Sequence, residues 1–263
     1  MTDILSEIVR CRRLDYQNMS CSFSDMLVKI STRTDFRSFR ASLKSGVSAE
    51  SAVSIIAEIK RGSPSKGIFA AELDPVSCAI DYQSGGAAAL SVLTEKRYFG
   101  GSIDDLIIAR KSCNLPVLRK DFIVTEYQVY ETALYADCML LIARTLDAKT
   151  LKAFHDLATE LKIDVLVEIF DEYDIEKISP FDFPLIGINH RNLSTMQVDI
   201  SNSCNFTKCF KREQTLVATS GINSREDIDS VMSNCGIKSF LVGESLSRNE
   251  NRVQFLRSLV YGE

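Results

Sequence analysis

The chain has 263 residues, of which 45% are hydrophobic and 25% charged, and a formal net charge of −4. That length and balance suffice for a full core and exclude a disordered chain, and the acidic charge argues against a nucleic-acid surface, where a basic patch supplies most of the affinity. There is no run of about 18 apolar residues and the opening MTDILSEIVRCRRLDY has no apolar signal core, so neither a membrane span nor export is expected and the cytoplasm is the expected compartment.

Residues 1 to about 50 read as helices. ILSEIVRCRRLDY is amphipathic, and TDFRSFRASLKSG offers Thr34 or Asp35 as a cap and Gly46 as a stop. Eight short apolar runs follow: IIAEI, AALSVL, PVLRK, CMLLIA, DVLVEI, LIGIN, LVATS and SFLVGE. Helical stretches separate them: DPVSCAIDYQSGG, SIDDLIIARKSC, TEYQVYETALYA, TLKAFHDLATELK, DEYDIEKIS, residues 200–212 and REDIDSVMSNCG, with the tail after the last run. Apolar runs alternating with helices suit parallel strands buried on both faces. Eight units count out a (β/α)8 barrel, which needs about 250 residues. The expected organisation is one barrel domain over 1–263, with 1–50 as a helical extension and 51–263 as the barrel. An open doubly wound sheet would want GxGxxG after its first strand, and the loop there reads RGSPSKG.

Barrel chemistry is built at the carboxyl ends of the strands. The first run ends in Glu58 and Lys60, which share a face because residues two apart in a strand point the same way. An acid and an amine facing a barrel interior are costly without a task. The third run supplies Lys120, the fifth Glu168, and the sixth Asn189 and Arg191, with His190 turned outward between them. Lys60, Arg61, Lys66, Arg119, Lys120 and Arg191 all fall at or just after strand ends, which suggests an anion site in an acidic protein. Arg119, on the face opposite Lys120, is expected to reach the rim. His155, in the helical pattern LKAFHDLATEL, is expected on the outer surface. Eight cysteines, at 11, 21, 78, 113, 138, 204, 209 and 235, form no CxxC pair, and there are two histidines, so neither a metal site nor a dense disulfide scaffold is expected, and reduced thiols, several of them buried, are.

The ordered set IIAEIKRGSPSKG, ALSVLTEKRYFGGS, LPVLRKDF, LVEIF, LIGINHRNL, LVATSGI and FLVGES resembles indole-3-glycerol phosphate synthase of tryptophan biosynthesis over most of the chain. The resemblance implies a cofactor-free carbon–carbon lyase of TIM-barrel fold. Its substrate would be a small phosphorylated compound, with neither nucleic acid nor membrane as partner; association with other enzymes of the pathway is left open. It makes Lys120 the general acid at the substrate carbonyl and Glu168 the base of the dehydration. Asn189 and Glu58 would lie near the reacting centre. Lys60 and Arg191 would engage anionic groups, and Phe99, Phe122 and Leu193 would surround the aromatic ring. Ser63, Ser220, Gly221, Gly243 and Glu244 would form the phosphate site, with the Glu244 carboxylate turned away from the anion because like charges repel.

The family's seventh strand commonly ends in glutamate before Ser-Gly, and here that position is Thr219. Two alternatives follow: a paralogue using the same chemistry on a substituted anthranilate, and a phosphate-ligand-binding barrel without turnover. Phosphoribosylanthranilate isomerase fits less well, because the Glu58/Lys60 strand and the KDF string belong to the synthase pattern.

Overall fold

The computed structural model describes residues 4–17, 19, 22–47, 53–191, 198, 200 and 202–262. Eight parallel strands close on themselves: β1 (Ser54–Ile59), β2 (Ala89–Leu93), β3 (Val117–Lys120), β4 (Cys138–Ile142), β5 (Asp164–Ile169), β6 (Leu185–Asn189), β7 (Thr215–Thr219) and β8 (Ser239–Val242). Each pairs with the next in sequence, and β1 completes the ring by pairing Ile56 with Ala89 of β2 and Ile55 with Phe240 of β8. All eight coincide with the apolar runs, because every strand is buried on both faces and reads as continuous hydrophobic sequence.

Alternation divides the core in two. Ile56, Ala89, Leu118, Leu140, Leu166, Val217 and Leu241 point inward and pack together, whereas Ile55, Leu90, Val117, Leu141, Val167, Ile186, Ala218 and Phe240 join the layer beneath the helices. Those helices are α4 (Pro75–Ser84), α5 (Ile103–Lys111), α6 (Glu126–Tyr135), α7 (Ala148–Glu160), α8 (Glu172–Ile178), the short α9 (Asn202–Phe206), α10 (Arg225–Cys235), α11 (Glu244–Ser247) and α12 (Arg252–Tyr261). Side-chain caps start most of them, as at Asp74, Ser102, Asp147, Asp171 and Ser224. The 200–212 region yields only α9 and a 3-10 turn, Thr207–Cys209.

Among the described residues three helices precede the barrel: α1 (Ile4–Tyr16), α2 (Phe23–Ser31) and α3 (Phe39–Gly46). Of these, α2 is an addition to the sequence reading. Ser38 caps α3 by accepting from the Ala41 N–H at 3.3 Å, so neither Thr34 nor Asp35 is the cap. Asp35 is drawn elsewhere, to Arg33 and Arg110, and residues 33–38 form no helical turn. α3 lies across the amino ends of the strands. Its Phe39 and Leu43 plug the interior, its Arg40 N–H donates to Asp164 at 2.9 Å, and its Ser42 hydroxyl donates to Ala88 O.

Three further expectations are corrected. Arg119 is 1% exposed and does not reach the rim; Thr94, Asp121, Glu131 and Tyr16 hold it beneath α6. His155 is half-buried, its ring 4.7 Å from that of Phe183. Cys204 and Cys235 form a disulfide where α9 meets the end of α10, with Cα atoms 4.6 Å apart, a contact between residues 31 apart in sequence that no local pattern signals. Cys11, Cys78, Cys113 and Cys138 are buried free thiols, and Cys209 is an exposed one. Among the described residues no helix is long and apolar enough to cross a membrane.

Candidate active site

Glu58, the inward residue near the carboxyl end of β1, is 2% exposed. One oxygen, Oε1, lies 2.7 Å from Lys60 Nζ; the other accepts from the Ser91 hydroxyl at 3.4 Å and faces Lys120 Nζ at 3.8 Å. Burial alone would favour the protonated acid, but Lys60 and Lys120 outweigh it and hold the Glu58 carboxyl below the ordinary carboxylate range. Gly243, just after β8, leaves room for this group. A Cβ there would collide with the Glu58 carboxylate and approach Lys60 Nζ to 3.0 Å.

Lys120, the last residue of β3, stands between two carboxylates, Glu58 at 3.8 Å and Glu168 Oε2 at 3.9 Å. Desolvation pulls its pKa down, Glu168 and Glu58 push it up, and the carboxylates prevail: it lies above the ordinary lysine value. The amine is therefore a charged proton donor at neutral pH, and its side chain stays 17% exposed towards the cavity. Glu168, on the neighbouring wall, accepts from Asn189 Nδ2 at 3.1 Å on Oε1 and from the Thr219 hydroxyl at 3.2 Å on Oε2. The Asn189 amide is oriented in turn, since its oxygen accepts the Arg191 N–H at 2.9 Å. His190 points away from the cavity, with Nδ1 2.9 Å from Ser220 O, as alternation requires.

These groups sit at the base of a cavity of about 660 Å³ that opens at the carboxyl ends of the strands. One side of its mouth is apolar: Leu93, Phe99 and Phe122, whose rings are 6.0 Å apart, together with Ile4, Leu5 and Ile8 of α1. The opposite side is formed by the loops after β7 and β8 and by the first loop, with Ser220, Gly221, Asn223, Gly243, Ser63 and Lys66. Ser220 and Gly221 adopt φ of 68° and 80°, the left-handed region; a Cβ at Gly221 would strike Val198. Two consecutive left-handed residues turn the backbone sharply after β7. Glu244 also lines the cavity, but Lys66 at 2.6 Å and Arg248 at 3.1 Å hold its carboxylate.

The fold thus brings together Glu58, Lys60, Ser63, Phe99, Lys120, Phe122, Glu168, Asn189, Arg191, Ser220, Gly221, Gly243 and Glu244 around one cavity. Leu193 lies outside the described residues. Lys60, Lys66, Lys120 and Arg191 supply the basic lining, whereas Arg61 is drawn to Asp105 at 2.6 Å and Arg119 is buried behind the strand, so neither joins an anion site. The sequence reading missed Ser91, Asn223 and the α1 residues. Amphipathicity marks α1 as a helix but not the surface it covers, and a serine inside an apolar run carries no signal of its partner.

A profile of the family described as indole-3-glycerol phosphate synthase matches residues 5–259. Proteins of that name from Desulfosudis oleivorans and Polaromonas naphthalenivorans are 45% identical over 99% of both chains and 41% identical over 94% of this chain and 95% of the other. Among solved structures, the tryptophan synthase alpha subunit of Legionella pneumophila superposes with a TM-score of 0.61 at 14% identity, covering 84% of this chain and 96% of its own. Phosphoribosylanthranilate isomerase from Thermotoga maritima gives 0.57 at 14%, covering 79% and 96%. At such identity these two likenesses speak to the barrel alone. The profile and the two relatives extend over almost the whole chain, strand ends included, and the chain belongs to the indole-3-glycerol phosphate synthase family.

Proposed function

We propose that the chain converts 1-(2-carboxyphenylamino)-1-deoxyribulose 5-phosphate to indole-3-glycerol phosphate, releasing carbon dioxide and water. The observation that carries this reading is Lys120, charged and 3.8–3.9 Å from two carboxylates, at the base of a cavity with aromatic rings on one side and glycine loops on the other. The substrate ring packs on Phe99 and Phe122. Its carboxylate meets Lys60 and Arg191, and its phosphate meets Ser63 and the backbone of Ser220, Gly221 and Gly243, while Lys66 and Arg248 draw off the charge of Glu244.

The ring carbon bearing the carboxylate gives an electron pair to the carbonyl carbon, and Lys120 protonates the carbonyl oxygen as the bond forms. Cleavage of the bond to the carboxylate returns its pair to the ring and frees carbon dioxide. The new hydroxyl then leaves as water with a proton from a neighbouring ammonium, while Glu168 takes a proton from the adjacent carbon and the indole double bond forms. Asn189 holds Glu168 in line, and Glu58 helps keep Lys120 charged. The sum involves no net oxidation and calls for no redox cofactor. Residues 1–263 act in this reaction as one barrel unit, in the cytoplasm.

The test is to mix purified protein with the substrate and follow indole emission, which no tryptophan of the chain obscures. Indole formation with equimolar carbon dioxide is expected. Saturable binding without turnover would replace this reading with a phosphate-ligand-binding barrel, and turnover confined to ring-substituted substrates would replace it with the paralogue.

A further inference from the structure

Two hydroxyls share a placement that the reaction as described leaves unused. Ser91, 0% exposed on β2, donates to Oε2 of Glu58 at 3.4 Å, and Thr219, 1% exposed at the end of β7, donates to Oε2 of Glu168 at 3.2 Å. In both carboxylates Oε2 is the oxygen that faces Lys120, at 3.8 and 3.9 Å, beyond direct hydrogen-bond length. The other oxygens are tied as well, Glu58 Oε1 to Lys60 and Glu168 Oε1 to Asn189. Each carboxylate is therefore pinned at both ends by strands other than the one carrying Lys120. The ammonium remains in the field of both without being captured by either, and its N–H bonds stay available to the cavity.

We propose that Ser91 and Thr219 are positioning residues that hold the two carboxylates at this stand-off from Lys120. The inference rests on the reading of Lys120 as proton donor. Without the hydroxyl, the freed oxygen closes on the ammonium to hydrogen-bond distance, and the lysine must break that contact to deliver its proton. Substrate binding, which uses other groups, is left as it was.

The experiment measures kcat and KM for the wild type and for Thr219→Val, Thr219→Ser and Ser91→Ala, with thermal melts of each. Valine keeps the shape of threonine and serine keeps its hydroxyl. The expected result is a loss of on the order of 10-fold in kcat for Thr219→Val and Ser91→Ala, KM within about 2-fold, and Thr219→Ser within about 3-fold of wild type. An active wild type with kcat unchanged in Thr219→Val and Ser91→Ala would overturn the inference while leaving the proposed function standing. Loss expressed in KM, or a Thr219→Ser protein as slow as the valine variant, would overturn it too. Should Thr219→Val fail to fold, Ser91→Ala and Thr219→Ser decide by the same criteria. An inert wild type would refute the proposed function itself, and this inference with it.

Discussion

Lys120 owes its charge to its neighbours. A lysine in a barrel interior would lose its proton to desolvation, and Glu168 and Glu58 reverse that tendency. Glu58→Gln removes one of the two carboxylates while burial remains, so the Lys120 pKa falls and the alkaline limb of the kcat/KM profile moves to lower pH. A pH–rate profile checks this, and an unmoved limb would separate Glu58 from Lys120. The same pair bears on stability. The depressed pKa of Glu58 contributes stability at neutral pH that is lost as the pH falls through its lowered folded value. The raised pKa of Lys120 contributes stability that is lost as the pH rises through its raised folded value. Glu58, Lys60, Lys120, Glu168, Asn189 and Arg191 were legible in sequence because each is a polar residue ending an apolar run. Ser91 and Thr219 were not legible as partners of those carboxylates, since their role exists only once neighbouring strands are in register.

At the scale of elements, the residues before the barrel work at both of its ends: α3 plugs the amino end, and α1 lends an apolar wall to the cavity. What docks α1 is a buried charge cluster. Arg12 makes two bonds to Asp121, at 3.0 and 2.6 Å, and Asp121 also takes Arg119 at 3.2 Å and the Thr94 hydroxyl at 2.6 Å. Asp121 stands between Lys120 and Phe122, so the cluster couples the helix to the site. Asp121→Asn leaves two buried guanidiniums short of a counter-charge and is expected to cost about 3 kcal/mol or more, a melting shift on the order of 10 °C. KM should rise as the α1 wall loosens. A thermal melt and a Michaelis curve check both, and an unchanged KM would detach α1 from substrate binding. The eight strands were readable because double-sided burial writes continuous apolar runs. The α3 cap at Ser38 was misread because Thr34 and Asp35 are equally good cap types, and Arg33 and Arg110 claim Asp35 for another purpose.

Across the whole molecule, burial quiets free thiols that lie away from the cavity. Burial pushes the Cys78 thiol up to about 11 and raises those of Cys113 and Cys138, so these are poor nucleophiles at neutral pH. Alkylation of the native protein followed by peptide mapping should label Cys209, which is exposed, and spare these three; labelling of Cys138 would mean that the barrel floor opens. The groups proposed for catalysis line the cavity at the other end of the barrel, and in the proposed reaction they divide the work, Lys120 closing the ring and Glu168 serving the dehydration. Single-turnover measurement of carbon dioxide release beside indole formation, in Lys120→Met and Glu168→Gln, tests that division directly. Lys120→Met is expected to abolish both signals, and Glu168→Gln to release carbon dioxide still while indole formation falls by at least about 100-fold. Carbon dioxide release lost equally in Glu168→Gln, or retained in Lys120→Met, would contradict it.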